Sequence, residues 1–361
     1  MIKQDDKKVG IKKDIPYIHY LRLLACIGVL MLHCNNRINF VCEDDAEFAA
    51  LLHTLAQPCV PIFFMITGAL ILPPPIEKIS KISIFWRKRI LKILFPLLFW
   101  GIVYSVLPYF VTQASVKSVI YNLFWISFSF PEEIGGILWY LYVLIGIYLI
   151  IPFFNPVIFE SKKVQSYYLI FWFFSSMGLI IRLFHPSIWG ESKWINSYDM
   201  LHYFSGYFGF LILGFLLHKE HTIKQNNGTN VVLWLTFVGL LFSICLTYIV
   251  RMELFGLQWG HQRGWFVFPT SIILSYFVYK AFSLIHFNST SWLYSMIKHL
   301  SKYTFGIYLS HMLIYYLLTK TLIYQYSTAW YAQLATITIT FVLSYLLSIT
   351  ISKLPFGKYL L

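Results

Sequence analysis

The chain has 361 residues, of which 58% are hydrophobic and only 12% are charged. A soluble domain carries about 25% charged residues, so this composition excludes a water-soluble globular protein and indicates a lipid environment. The apolar residues form continuous runs of about 18 to 22 residues, as transmembrane helices do, whereas barrel strands would alternate over about ten. We therefore predict an all-α polytopic membrane bundle.

The basic residues predict the orientation of this bundle. About 19 of the 28 Lys and Arg residues fall in alternate segments beginning with the N-terminal tail, against about 7 in the segments between them. By the positive-inside rule, the tail and the C-terminus are both cytoplasmic. A net charge of +13 would suggest a nucleic-acid partner in a soluble protein, but this distribution accounts for the charge, and we expect no such partner.

The pattern divides the chain into a basic cytoplasmic tail over 1–14, one transmembrane domain over 15–352, and a short cytoplasmic C-terminus over 353–361. The first span exceeds the apolar core of a signal peptide, about 7 to 15 residues, so we expect it to be retained. About ten spans are predicted, over Ile15–Cys34, Leu55–Leu72, Ile90–Val111, Ile137–Phe154, Tyr167–Phe184, Met200–Leu217, Val231–Val250, Trp265–Ile285, Tyr303–Ile323 and Trp330–Ile351.

The first span carries two ionisable side chains, Arg22 and His33. Eleven residues at about 100° each bring both to one helical face, about 16 Å apart along the axis. An ionisable residue inside a span is a functional candidate by default because burying it in lipid is costly. A snorkelling arginine and an interfacial histidine would explain the same pattern, so spacing alone leaves both interpretations open.

A second basic pair opens the third span, where Arg89 and Lys92 are three residues apart and share a face. Such clusters often serve topology or bind anionic lipid. A cationic pocket for the phosphates of a cytosolic donor is the alternative. In the ninth predicted span, Tyr308 and His311 share a face near mid-membrane, although polar side chains on two helices can also simply bond to each other.

Five cysteines, at 26, 34, 42, 59 and 245, have no metal-ligand spacing. Cys34, Cys42 and Cys59 all fall near the predicted outer face. A disulfide among them and scattered free thiols both fit this pattern.

These residues carry a family resemblance. The segment from Tyr17 through Arg22 to His33 resembles the first helix of the acyltransferase type 3 membrane family, in which Arg or Lys, ten residues and His form a signature. Arg89 and Lys92 fall on its Arg-x-x-Arg pair, with lysine at the second position. Further motifs similar to those of the family occur over 58–68 (Pro-Cys-Val-Pro-Ile-Phe-Phe-Met-Ile-Thr-Gly), over 138–152 from Leu-Trp-Tyr-Leu to Tyr148 and Pro152, and over 303–311. Among its members, the chain looks closest to the enterobacterial common antigen O-acetyltransferase type.

The resemblance implies a multi-pass protein of the bacterial inner membrane that moves an acyl group from cytosolic acyl-CoA, acetyl-CoA above all, to a sugar hydroxyl of a surface glycan or glycolipid. It implies no metal. Arg22, Arg89 and Lys92 would bind the CoA phosphates, and His33 would be the general base on the acceptor hydroxyl. Tyr308, His311 or Trp139 would donate hydrogen bonds to the oxyanion.

Two other functions remain open from the sequence. A transporter or lipid flippase would also line its path with polar residues, although the chain shows no matching halves. A scaffold without activity would point its polar groups to separate interfaces. The motifs do not place an acidic partner for His33, for which Glu43, Asp199 and Glu253 are candidates by position.

Overall fold

The computed structural model describes residues 14–34, 46–73, 81–111, 115–126, 135–154, 159–184, 201–223, 230–255, 265–319 and 330–361. Every regular element within these ranges is helical, which confirms the all-α prediction. The α-helices are α1 (Pro16–Cys34), α2 (Ala46–Ala56), α3 (Cys59–Ile71), α4 (Ile82–Val111), α5 (Val116–Trp125), α6 (Trp139–Ile150), α7 (Lys162–Phe184), α8 (Phe208–Ile223), α9 (Asn230–Phe255), α10 (Pro269–Leu284), α11 (Trp292–Thr319) and α12 (Trp330–Ser352).

Six helical segments are long and apolar enough to cross a membrane: Pro16–Cys34, Glu47–Ile71, Ile82–Leu107, Gly136–Phe153, Asn230–Glu253 and Trp330–Ser352. They coincide with six of the ten predicted spans. The other four predictions fall largely on α7, α8, α10 and α11, which are helical. Large apolar side chains such as Trp234 and Phe242 are exposed on α9, as expected of a surface that lipid covers. Ten spans and their orientation stay predictions.

Helix α1 lies at the centre of the bundle and packs against α2, α3, α10, α11 and α12. It begins at Pro16, which suits a first turn because that position needs no backbone N–H. Tyr17, Leu21, Cys26 and Leu30 are fully or almost fully buried along its length. We call the end of the bundle where α1 begins the inner end, and the opposite end the outer end.

Two glycines bring α3 and α8 into direct backbone contact. A methyl group on Gly68 would lie 2.0 Å from the Leu211 carbonyl oxygen, and one on Gly214 would lie 2.1 Å from the Met65 carbonyl oxygen. Small residues are what allows helices to pack this closely inside a membrane. The α3–α8 contact therefore forms one wall beside α1.

Helix α5 lies between the predicted spans Ile90–Val111 and Ile137–Phe154, where the sequence predicts no helix. The Ile126 side chain, directly after α5, fills the space over Gly101 of α4, and its carbonyl accepts a hydrogen bond from Tyr142 of α6. One turn beyond Gly101, the Tyr104 hydroxyl donates to the carbonyl of Leu309 in α11. Helix α5 thus folds back along α4 to mid-depth. Helix α6 starts from within the bundle, because Tyr142 near its start bonds to Ile126, which lies over Gly101 of α4.

Ionic and hydrogen-bonded side chains join the helices at the inner end. The Lys280 ammonium, predicted to lie within a span, pairs with Glu220 at 2.7 Å. Asp14 accepts hydrogen bonds from His19, Tyr294 and Lys298, which ties the start of α1 to the start of α11. These contacts fix α8 against α10 and the start of α1 against α11.

The last residues of the chain pack against the bundle. The Trp100 indole N–H donates to the Leu360 carbonyl at 3.1 Å. A side chain on Gly306 would meet that of Leu361, so the glycine makes room for it. Leu360 and Leu361 therefore lie against α4 and α11.

Candidate functional site

His33 and His311 meet inside the bundle. His33 lies in the last turn of α1 and His311 in the second half of α11, and their ring centroids are 5.3 Å apart. His33 is half-buried, whereas His311 is fully buried. The structure thus brings together two histidines that the sequence places 278 positions apart.

The hydrogen bond of His311 determines which of its nitrogens carries the proton. Its Nδ1 lies 2.6 Å from the carbonyl oxygen of Tyr308, and a carbonyl oxygen only accepts. Nδ1 is therefore protonated, and in the neutral ring Nε2 carries the lone pair. Within the described part of the chain, no group forms a hydrogen bond with Nε2. A buried acceptor without a donor is rare in folded proteins, and this nitrogen can accept a hydrogen bond from a bound group.

Tyr308 lies beside this pair, with its ring centroid 6.0 Å from that of His311. Its hydroxyl donates to the Ile137 carbonyl in the 3-10 turn before α6. The hydroxyl proton of Tyr308 and the Nδ1 proton of His311 are thus both donated to backbone carbonyls. Their predicted role as oxyanion donors would require these hydrogen bonds to change, and it stays a prediction.

Tyr140 connects the histidines with Arg22. Its ring centroid lies 5.8 Å from that of Tyr308, and its hydroxyl lies near the Arg22 guanidinium and Thr67. The residue is buried between α1, α3 and α11. We did not predict Tyr140 as a site residue, although it lies in the 138–152 motif, because a tyrosine in an apolar helix usually belongs to the core.

Arg22 is a half-buried cation, and within the described residues it has neither an ion pair nor a hydrogen bond. Arg89, also half-buried, interacts electrostatically with Tyr148 two turns along α6 from Tyr140. The structure thus places Arg22 and Arg89 along the same side of α6. Lys92 is exposed one turn further along α4, and no described side chain pairs with it.

The structure describes only one of the three predicted acidic partners of His33. Glu253 is exposed at the far end of α9, and Glu43 and Asp199 lie outside the described residues. Cys34 and Cys59 are buried and form no disulfide with a described residue, whereas Cys42 lies outside the described residues. No three His, Cys, Asp or Glu side chains cluster like metal ligands in the described ranges.

Arg22 has no acidic partner among the described residues, and buried tyrosines connect it to two neighbouring histidines inside an apolar helical bundle. This arrangement defines an ionisable site of a multi-pass membrane protein. Residues 15–352 match a family model described as an acyltransferase domain, so the chain belongs to the acyltransferase type 3 family and is a membrane acyltransferase. Comparisons with curated proteins and with solved structures find no significant match. Family membership does not favour a transporter or flippase.

Proposed function

We propose that this protein transfers an acetyl group from cytosolic acetyl-CoA to a sugar hydroxyl of a surface polysaccharide, lipopolysaccharide or lipid-linked glycan at the bacterial inner membrane. The observation that carries the proposal is the continuous path from Arg22 through Tyr140 and Tyr308 to the His311–His33 pair. The likeness to the enterobacterial common antigen type makes a sugar of that kind our preferred acceptor.

The donor half of the proposal rests on Arg22. A half-buried guanidinium with no carboxylate partner in the described ranges is suited to bind an anion, and arginine suits phosphate because it offers a planar fork of donors. Arg89 lies nearer the inner end and adds a second positive charge on the same side of α6. We assign the CoA phosphates to these two residues, with Lys92 as a peripheral cation, and the thioester to the space toward the histidines.

The acceptor half of the proposal rests on the two histidines. His33 accepts the proton of the sugar hydroxyl as its oxygen attacks the thioester carbonyl. The carbon–sulfur bond then breaks, the acyl ester forms, and the CoA sulfur leaves as the thiol after taking a proton back from His33. His311 Nε2, as a buried acceptor, holds either the sugar hydroxyl or the His33 N–H in line for this transfer.

Transfer of label tests the proposal. Proteoliposomes supplied with acetyl-labelled acetyl-CoA and a lipid-linked glycan fraction should yield an alkali-labile glycan ester. His33→Gln keeps size and hydrogen bonding but cannot accept a proton at neutral pH, so it should abolish the label. His299→Gln changes an exposed histidine at the inner end and is the control that should retain it. Ester formation by His33→Gln at the unmodified rate would refute the mechanism, and uptake of intact glycan without ester would indicate transport.

A further inference from the structure

Three aromatic rings lie at the outer-side starts of three helical elements, and of these only Trp139 has been considered above, as a candidate oxyanion donor. Trp139 is the first residue of α6, Tyr207 directly precedes α8, and Phe266 lies in the 3-10 turn before α10. The Trp139 ring centroid lies 5.3 Å from that of Tyr207 and 6.0 Å from that of Phe266, the latter pair stacked at 21°. We call these three residues the aromatic shelf.

The aromatic shelf lies inside the bundle. Trp139 comes two residues after Ile137, whose carbonyl is bonded to Tyr308, and Tyr308 is sixteen residues, about 24 Å, from the start of α11. Tyr207 stacks at 4.9 Å on Phe64, which is fully buried. An interfacial aromatic belt would instead lie at span ends facing lipid. The depth of the aromatic shelf is therefore that of the histidine pair.

The rings of the aromatic shelf are only half-buried, although their neighbours Phe64 and Tyr140 are buried. Gly206 contributes to this arrangement, because its backbone takes a φ of 96° and turns the chain immediately before Tyr207. The Gly206 carbonyl is held by the Trp172 indole at 2.8 Å. Each of the three rings thus keeps part of its surface accessible at this depth.

We infer that the aromatic shelf binds a pyranose ring of the acceptor glycan, which rests on the proposed transfer to a sugar hydroxyl. The face of an aromatic ring is negative, so it attracts the polarised C–H groups on the flat side of a pyranose, while the hydroxyls remain at the rim. None of the three side chains is charged, which favours an uncharged ring over a phosphate or carboxylate.

The aromatic shelf is also continuous with the histidine pair. Tyr140 and Tyr308 join Trp139 to His311, and each step between ring centroids is 6.4 Å or less. The inference requires a sugar ring on the shelf to present a hydroxyl toward the two histidines. Lipid tails are the rival occupants, but they need neither stacked rings nor a place beside the proton acceptors.

Saturation-transfer NMR tests this inference directly. The protein is embedded in lipid nanodiscs, its aromatic protons are irradiated, and the probes are methyl glycopyranosides of glucose, galactose, mannose and N-acetylglucosamine. We expect saturation of ring C–H protons in at least one probe. Trp139→Leu and Tyr207→Leu should weaken the apparent affinity roughly 2- to 10-fold, in line with the loss of one aromatic stacking contact. Trp330→Leu, which removes a tryptophan that is 52% exposed at the start of α12, is the matched control and should leave the signal unchanged.

The outcomes separate this inference from the proposed function. If no probe shows saturation transfer, or if Trp330→Leu loses as much signal as the shelf variants, the inference about the aromatic shelf is refuted. The proposed acetyl transfer is unaffected by either result. His33→Gln should bind the probes normally, so probe binding together with unimpaired acetyl transfer in that variant would refute the mechanism and leave the shelf. If Trp139→Leu also loses acetyl-CoA binding, Trp139→Phe is the variant to measure, because it keeps an aromatic face for stacking. A full loss of probe binding in Trp139→Phe would refute the inference.

Discussion

The imidazole ring centroids of His33 and His311 lie 5.3 Å apart, although the two residues belong to different helices. The role of His311 can be tested apart from its structural hydrogen bond. In His311→Asn, the amide N–H can replace Nδ1 as donor to the Tyr308 carbonyl, but nothing replaces Nε2 as acceptor. We expect a drop in turnover of about 10²-fold, with a melting temperature close to that of the unmodified protein.

His311→Phe is the comparison for that variant, because it removes both nitrogens and leaves the Tyr308 carbonyl unbonded. It should lose activity and should melt at a lower temperature than the unmodified protein. If His311→Asn acylates its acceptor at the unmodified rate, His311 is a packing residue only.

Arg22 and Arg89 should dominate donor binding, because both are half-buried along α6. Arg22→Ala and Arg89→Ala should each weaken acetyl-CoA binding, measured by calorimetry on purified protein, and Lys92→Ala should weaken it less. Binding should also fall with added salt, since the contacts are partly Coulombic. Arg87→Ala removes an exposed charge two residues from Arg89 and serves as the control. Salt-insensitive, tight binding by the triple variant at 22, 89 and 92 would exclude this donor site.

The orientation of the bundle can be tested with reporters. The distribution of Lys and Arg predicts that a reporter inserted after Lys224 and one fused after Leu361 both read cytoplasmic. Because Leu360 and Leu361 pack against α4 and α11, the second fusion needs a flexible linker. A periplasmic reading at both positions would reverse the predicted orientation, and a disagreement between them would mean that a span has been miscounted.

Gly68→Ala should destabilise the protein by about 1–3 kcal/mol, because its methyl group would overlap the Leu211 carbonyl on α8. Gly146→Ala is the matched control in α6, because a methyl group there meets nothing within 4 Å. This substitution should stabilise the protein by about 0.5–1 kcal/mol. Thermal unfolding in detergent measures both. Equal melting temperatures for the two variants would show that the α3–α8 contact is looser than described.

Asp14 gives a prediction about pH. Burial alone would raise the pKa of Asp14, but hydrogen bonds from Lys298, Tyr294 and His19 outweigh it and hold this pKa well below its usual range. A carboxyl of that kind stabilises the fold above its unfolded pKa of about 3.9, and the stabilisation is lost as pH falls toward the folded pKa. Asp14→Asn should therefore lower the melting temperature equally at pH 8 and pH 5.

Glu160→Gln, an exposed carboxylate at the inner end, is the control for this measurement and should change little at either pH. If the difference in melting temperature between Asp14→Asn and the unmodified protein disappears between pH 8 and pH 6, another titrating group is responsible.

The sequence predicted the helices and the residues with unusual chemistry, but it did not predict how they are connected. Arg22, His33 and His311 could be identified because charged and polar groups are rare in apolar runs. Tyr140 and Thr67 could not, because their types are ordinary in a membrane helix and only the tertiary contacts distinguish them. The fold-back of α5 was missed for a similar reason: ten residues are too few to give a span signal, and its partners Gly101 and Tyr142 are distant in sequence.

The depth at which α6 begins has an electrostatic consequence. The aligned peptide dipoles of a helix place about half a positive charge at its N-terminus, and the first N–H groups there have no partner within the helix. In an ordinary membrane span, this charge lies at the water interface and is screened. Here, the Gly135–Leu138 turn and the first turn of α6 place it beside Tyr308 and the two histidines, where screening is weak. The backbone itself therefore favours negative charge at the level where acyl transfer would develop it.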